Sequence, residues 1–85
     1  MIIKLKDEIN GALDFNQSAT ELFEKINQIN DNDFTMDFED VFFISRSLAQ
    51  AYYFSKKRSP KNVNEINLSR DVLPMMEMIE KQIMP

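Results

Sequence analysis

Asp37-Phe38-Glu39-Asp40-Val41-Phe42-Phe43-Ile44-Ser45-Arg46-Ser47-Leu48-Ala49 is the stretch on which the reading of this chain turns. It runs from the end of a buried strand through an acidic turn and a short apolar run into a helix opened by two serines. Such an order sets hydroxyl groups at the rim of a sheet, near the positive end of a helix dipole. Upstream, Phe34, Met36 and Phe38 alternate with Thr35 and Asp37, so Phe34–Phe38 reads as a strand with one apolar face. Downstream, Ser45 is the N-cap candidate for a helix reaching about Lys57, with Leu48, Ala51, Tyr52 and Ser55 inward. Val41 to Ile44 is the hydrophobic connection between the two.

Further out, Met1–Leu5 carries β-branched Ile2 and Ile3 and reads as a short strand. Gly11 marks a turn or loop. Ala19, Leu22, Phe23, Ile26 and Ile29 form one apolar stripe, which predicts a helix from Asn16 to Asn30. Ser18 and Glu21 have capping-box spacing near its start. The Asn30-Asp31-Asn32-Asp33 cluster ends it, since these side chains compete with the helical backbone for hydrogen bonds. Pro60 stops the second helix. Val63–Leu68 is the third strand. A last helix follows, capped by Ser69 or Asp71, with Pro74 in its first turn if Asp71 is the cap. Val72, Met75, Met76, Ile79 and Ile83 make its stripe. Residues 1–85 therefore form one α/β domain. The expected sheet is small, open and mostly parallel, with about three or four strands and about three helices. So few strands leave exposed edges, which invites a dimer, a partner or one more strand.

Composition excludes more than it assigns. The chain has no Cys and no His, so a Cys/His zinc site, a thiol nucleophile and a Ser-His triad are ruled out. Gly11 is its single glycine, too few for a phosphate loop or a dinucleotide fingerprint. No cofactor is expected. Net charge is −4, split between ten acids and four bases in residues 1–55 and six bases and four acids in residues 56–85. An acidic front argues against nucleic acid, which requires a concentrated basic face. The basic run Lys56-Lys57-Arg58-Ser59-Pro60-Lys61 reads as a solvated helix end, where cations suit the dipole. Met1-Ile2-Ile3-Lys4-Leu5-Lys6 is too short for a signal peptide or a membrane span. With the lack of Cys, this leads us to expect a soluble, cytoplasmic protein.

Candidate site residues gather around the opening stretch. Asp37, Glu39 and Asp40 read as a solvated acidic rim rather than a metal site, because no further ligand set is visible. Ser45 caps the helix. Ser47 is either an ordinary first-turn polar residue or a phosphoacceptor and partner contact. Tyr52, Tyr53 and Phe54 are consecutive, so one helix cannot bury all three on the same side. Those facing outward are either stray aromatics or part of an interface. Met75, Met76, Met78 and Met84 fill the core or form an adaptable surface.

These residues resemble the STAS domains, the family of anti-sigma factor antagonists and sulfate-transporter tails. They are more similar still to the uncharacterised STAS-like proteins, with an Asp-Phe strand end, then Ile-Ser-x-Ser and a helix. The likeness spans about Phe15 to Gln82 and includes the strand with Asn and the Ser69-Arg70-Asp71-Val72 helix start. Asp40-Val41-Phe42-Phe43-Ile44 lies on the family's run of acid, aliphatic, any residue, apolar, apolar. Ser45 falls where antagonists have Asp, Arg46 on their first serine, and Ser47 on the serine that their cognate kinase phosphorylates. Leu48 stands where they have glycine.

The resemblance implies a non-enzymatic regulatory module. Its partner would be a protein, by family likeness an ATP-binding kinase of the anti-sigma type. The implied contact residues are Asp40, Ser45, Arg46, Ser47, Gln50, Tyr53 and Phe54, with Ser47 as phosphoacceptor. The alternative is a small structural domain that homodimerises or completes a larger assembly through an exposed sheet edge. An enzyme working with carboxylates and hydroxyls alone ranks last.

Overall fold

The computed structural model describes residues 1–8 and 16–84. Its elements are β1 (Ile2–Lys4), α1 (Leu5–Glu8), α2 (Asn16–Asn27), β2 (Asp33–Asp37), α3 (Arg46–Arg58), β3 (Asn62–Ile66) and α4 (Leu73–Ile83). The fold is α/β, and the sheet is open and parallel throughout, in the order β1-β2-β3. The α/β class and parallel sheet agree with the sequence. The described helices number four rather than about three, the extra one being the single turn of α1. Leu5, expected to end the first strand, opens that turn and is buried. The turn expected at Gly11 lies outside the described residues.

Parallel register sorts the side chains into two faces. Ile3 pairs with Met36 and Met36 with Glu65, while Phe34 pairs with Val63. The apolar members of these rows, together with Phe38, are buried beneath the helices. The intervening rows place Ile2, Lys4, Asn64 and Ile66 on the opposite face, where all four are exposed. Parallel sheets are normally covered on both faces. Here the described helices cover one.

Helix ends follow the local chemistry. α2 stops at Asn27, short of the expected Asn30, and two tight bonds close it, Gln28 N–H to Lys25 O (3.2 Å) and Ile29 N–H to Ile26 O (3.1 Å). Asp31 then accepts from the Asp33 N–H at 3.1 Å, the side-chain competition that breaks the helix. α3 ends before Pro60, with Ser59 extended as a residue preceding proline must be. Neither Ser69 nor Asp71 caps α4 itself: Val72 stands at its N-cap without a side-chain cap bond, while the Ser69 hydroxyl accepts the Val72 N–H at 3.3 Å in the turn before, and Pro74 lies in the helix's first turn.

The basic run is more than a solvated end. Lys57 Nζ donates to Ile83 O at 3.3 Å, the last residue of α4. Lys61 Nζ donates to Ile29 O at 2.9 Å, just past α2. Lys57 thereby meets a carbonyl of the last turn of α4, and Lys61 shares Ile29 O with the Asp31 N–H, which donates to it at 2.9 Å.

The inner face of α3 is wider than the sequence implied. Leu48, Ala49, Tyr52 and Tyr53 are all buried. The cause is non-local: α3 packs against α2 and also against α4. A helix enclosed on two flanks and below needs a broad apolar arc, and Ala49 and Tyr53 complete it.

Candidate interaction site at the sheet rim

Strands β2 and β3 end side by side, and the site is built where they end. Such carboxyl ends are where open α/β sheets usually place their binding residues. Asp37 closes β2 and is buried. Its Oδ1 accepts from Asn67 Nδ2 at 3.0 Å and from the Glu39 N–H at 2.9 Å. Those donors, Asn67 first, hold its carboxyl below the usual carboxylate range.

Asn67 (φ 58°) and Asp40 (φ 63°) both adopt left-handed backbone. Asn and Asp tolerate that region better than other residues with a Cβ. Asp40 is exposed, and its carboxylate takes Lys6 Nζ at 2.7 Å, which ties the β2–α3 loop to α1. The Asp40 hydrogen bond and charge push the Lys6 ammonium pKa up. The acids of the rim thus diverge, Asp37 toward Asn67 and Asp40 toward Lys6. Among the described residues no three acids are grouped to hold a metal ion.

Between Asp40 and α3 the apolar run splits. Val41 and Ile44 are buried, at 2% and 5% exposure, whereas Phe42 and Phe43 stand out at 67% and 68%. Val41 is anchored by its N–H to Phe38 O at 3.0 Å. At the other end Ser45 caps α3, its Oγ accepting the Leu48 N–H at 3.0 Å. Two anchors on each side therefore hold a pair of phenylalanines in water.

The residues expected to make contact separate into groups. Arg46 and Ser47 are exposed in the first turn of α3, and Gln50 is half-buried. Phe54 is 50% exposed. Helical geometry places Arg46, Ser47, Gln50 and Phe54 within one arc, the outward stripe of α3. Asp40 stands before them in the loop. Ser45 is occupied as the cap. Tyr53 does not belong to this surface: it is buried at 3% exposure, against Tyr52 at 5.2 Å and under Lys56 at 5.7 Å. Of the three consecutive aromatics, Phe54 alone faces outward.

Phe42 and Phe43 are the residues that the sequence reading missed. A four-residue apolar run has no period to separate inward from outward positions. The usable signal was the length of the connection, too short to bury four large side chains while it turns from strand to helix.

No described helix is long and apolar enough to cross a membrane. A shallow groove of about 220 Å³ between α1 and α2 is lined by Glu8, Ser18, Glu21, Leu22 and Lys25, with Glu8 bonded to Lys25 at 2.9 Å. The chain matches no family model, no curated protein and no solved structure.

Proposed function

We propose that this domain is a non-enzymatic regulatory module that binds a partner protein through the loop Glu39–Ser45 and the outward stripe of α3. The observation that carries the proposal is the exposure of Phe42 and Phe43 at 67% and 68% on a loop otherwise pinned to the core. Exposed aromatics at the centre of a patch, with charges at its rim, are the usual anatomy of a protein interface. Glu39 and Asp40 on one side and Arg46 on the other supply such a rim.

The STAS-like resemblance supports an ATP-binding kinase of the anti-sigma type as partner and Ser47 as phosphoacceptor. Ser47 is exposed in the first turn of a helix, where a phosphate gains from free N–H groups and the dipole. The same phosphate would repel Glu39 and Asp40 nearby in sequence, and that opposition makes it a switch for the contact.

Affinity co-purification from the native host, with partners identified by mass spectrometry, tests both parts. Wild type is expected to capture a kinase-like ATPase, and Ser47→Asp and Phe42→Ser are each expected to lose it. Retention by both variants sinks the proposed surface. Loss with Phe42→Ser alone keeps the surface and removes the serine switch.

A second reading, a domain that completes a larger assembly, is favoured by the parallel sheet, of which the described residues cover one face and pair neither outer edge. Sedimentation across a concentration range distinguishes self-association from a foreign partner.

A further inference from the structure

The face of the sheet that the described helices leave uncovered has a pattern of its own. Register puts Ile2, Thr35 and Asn64 in one row across its middle. Two residues toward the carboxyl ends of the strands, Lys4 stands in a row with Asp37 and Ile66; two residues the other way stands Asp33. Ile2 is 67% exposed and Ile66 39%, and Lys4, Asp33 and Asn64 are exposed with them. The Asp37 carboxyl is taken by Asn67 and Glu39. Lys4 joins no ion pair among the described residues.

Parallel strands buried on both faces read as nearly unbroken apolar runs. This face sets two isoleucines among polar and charged side chains, the make-up of a contact that forms and separates. Its charges select the occupant. Stacked sheets lie about 10 Å apart, with their strands within about 30° of one another. A two-fold axis along the middle row would set β1 on β1 of a second copy and β2 on β2, with the strands antiparallel. Ile2 then faces Ile2 of the copy. Lys4 and Asp33 lie equally far from that row, on opposite sides of it. The rotation therefore brings Asp33 of the copy level with Lys4 and one strand away, about 4.8 Å to the side. The pair forms twice, as every isologous contact does. The other two-fold that stacks the sheets runs along β2, and it sets Asp33 on Asp33 and Lys4 over Ile66.

We propose that the open face of the sheet binds a second copy of this chain, in a two-fold contact centred on the row Ile2–Thr35–Asn64 and fixed by two Lys4–Asp33 pairs. This rests on the assembly reading and sharpens it by naming the face, the occupant and the orientation. The Phe42–Phe43 loop lies past the carboxyl end of β2 and stays free for a foreign partner.

Sedimentation equilibrium of the full chain, from micromolar to millimolar concentration, is the test. Three strands make a small contact, so the wild-type dimer should appear toward the top of that range. Lys4→Asp and Asp33→Lys, both at exposed positions, should each raise the dimer Kd roughly ten-fold, the scale of two exposed ion pairs lost together. Mixing the two variants should bring wild-type affinity back, because both pairs of the mixed dimer again join opposite charges. Phe42→Ser should leave the dimer Kd unchanged. A dimer indifferent to both charge reversals overturns the face, as does a mixture no tighter than its components or a dimer weakened by Phe42→Ser. A monomer at every concentration overturns the second copy. Co-purification with Ile2→Lys then separates two failures. A foreign protein captured by wild type and lost by that variant keeps the assembly reading with another occupant; none lost removes that reading as well.

Discussion

Phe42-Phe43 and Tyr52-Tyr53 are both consecutive aromatic pairs, and the molecule treats them in opposite ways. The tyrosines, which carry hydroxyls, are buried at 2% and 3% exposure, while the phenylalanines, wholly apolar, face water at 67% and 68%. Burial statistics favour the reverse order. Tyr52 is worth burying because its hydroxyl is satisfied: it donates to Glu65 Oε2 at 2.6 Å, and Lys56 Nζ reaches both oxygens of that carboxylate at 3.1 Å and 2.9 Å. Its ring meets Phe23, Phe38 and Tyr53 edge-on at 5.3, 6.0 and 5.2 Å. Leaving a phenylalanine in water instead forfeits about 1.5–3 kcal/mol of burial. The contrast separates an aromatic pair that builds the fold from one that the fold presents.

The largest expected effect breaks the buried half of this comparison. Tyr52→Ala removes the ring that meets Phe23, Phe38 and Tyr53 and should cost about 3–5 kcal/mol in denaturant unfolding. A domain of this length holds roughly 4–13 kcal/mol in total, so the variant stands close to global unfolding. Tyr52→Phe keeps the ring and deletes only the hydroxyl. Glu65 then retains Lys56, and the cost should fall to about 1–2 kcal/mol. Equal losses for the two variants would show that the hydrogen bond, not the ring, holds the core together.

The next effect concerns the anchor of the exposed half. Ser45→Ala deletes the side-chain cap of α3 and should cost about 1 kcal/mol. Rescue by Ser45→Asp, which caps equally well, would show that the hydroxyl acts as a cap.

Asn67→Gly should have a smaller effect, present at neutral pH and vanishing in acid. Glycine accepts the left-handed backbone of position 67 (φ 58°) while removing the amide that holds the Asp37 carboxylate. The folded pKa of Asp37 is depressed. The stability it contributes is therefore present above the unfolded value of about 3.9 and is lost as pH falls through the folded one. The variant should raise the folded pKa of Asp37 toward ordinary. Stability should then fall less steeply below about pH 4 than it does in wild type. A carboxyl titration by NMR with an unchanged Asp37 midpoint would refute this account of the rim.

Much of the buried half could be read from the chain itself, and little of the exposed half. Phe34, Met36 and Phe38 alternate, and the apolar stripes of α2 and α4 recur at helical spacing, so periodicity alone located the strand and the helices. Ser45 announced its cap because capping is a local interaction. The burial of Tyr53 is not legible locally because it depends on α4, which begins twenty residues later at Leu73. The exposure of Phe42 and Phe43 is not legible either, because a run of apolar residues carries no phase. The left-handed Asp40 and Asn67, and the tethers from Lys57 and Lys61 to distant carbonyls, arise when separate elements meet, so no single window contains them.

The smallest expected change is the most informative. Replacing Phe42 and Phe43 together by serine should shift unfolding stability by no more than about 0.5 kcal/mol, as surface substitutions usually do. Neither ring is buried in the fold, and Val41 and Ile44 keep the loop anchored. The same double variant should abolish partner capture, so the test is the separation of the two readouts. A loss of more than about 1 kcal/mol, well beyond that surface range, would mean that the phenylalanines pack on the protein in solution. The two aromatic pairs would then differ only in degree. Unchanged stability with unchanged capture would leave the exposed pair without a role and transfer the contact to Ser47, Gln50 and Phe54 on α3. Unchanged stability with lost capture is the result that a surface kept at the expense of burial requires.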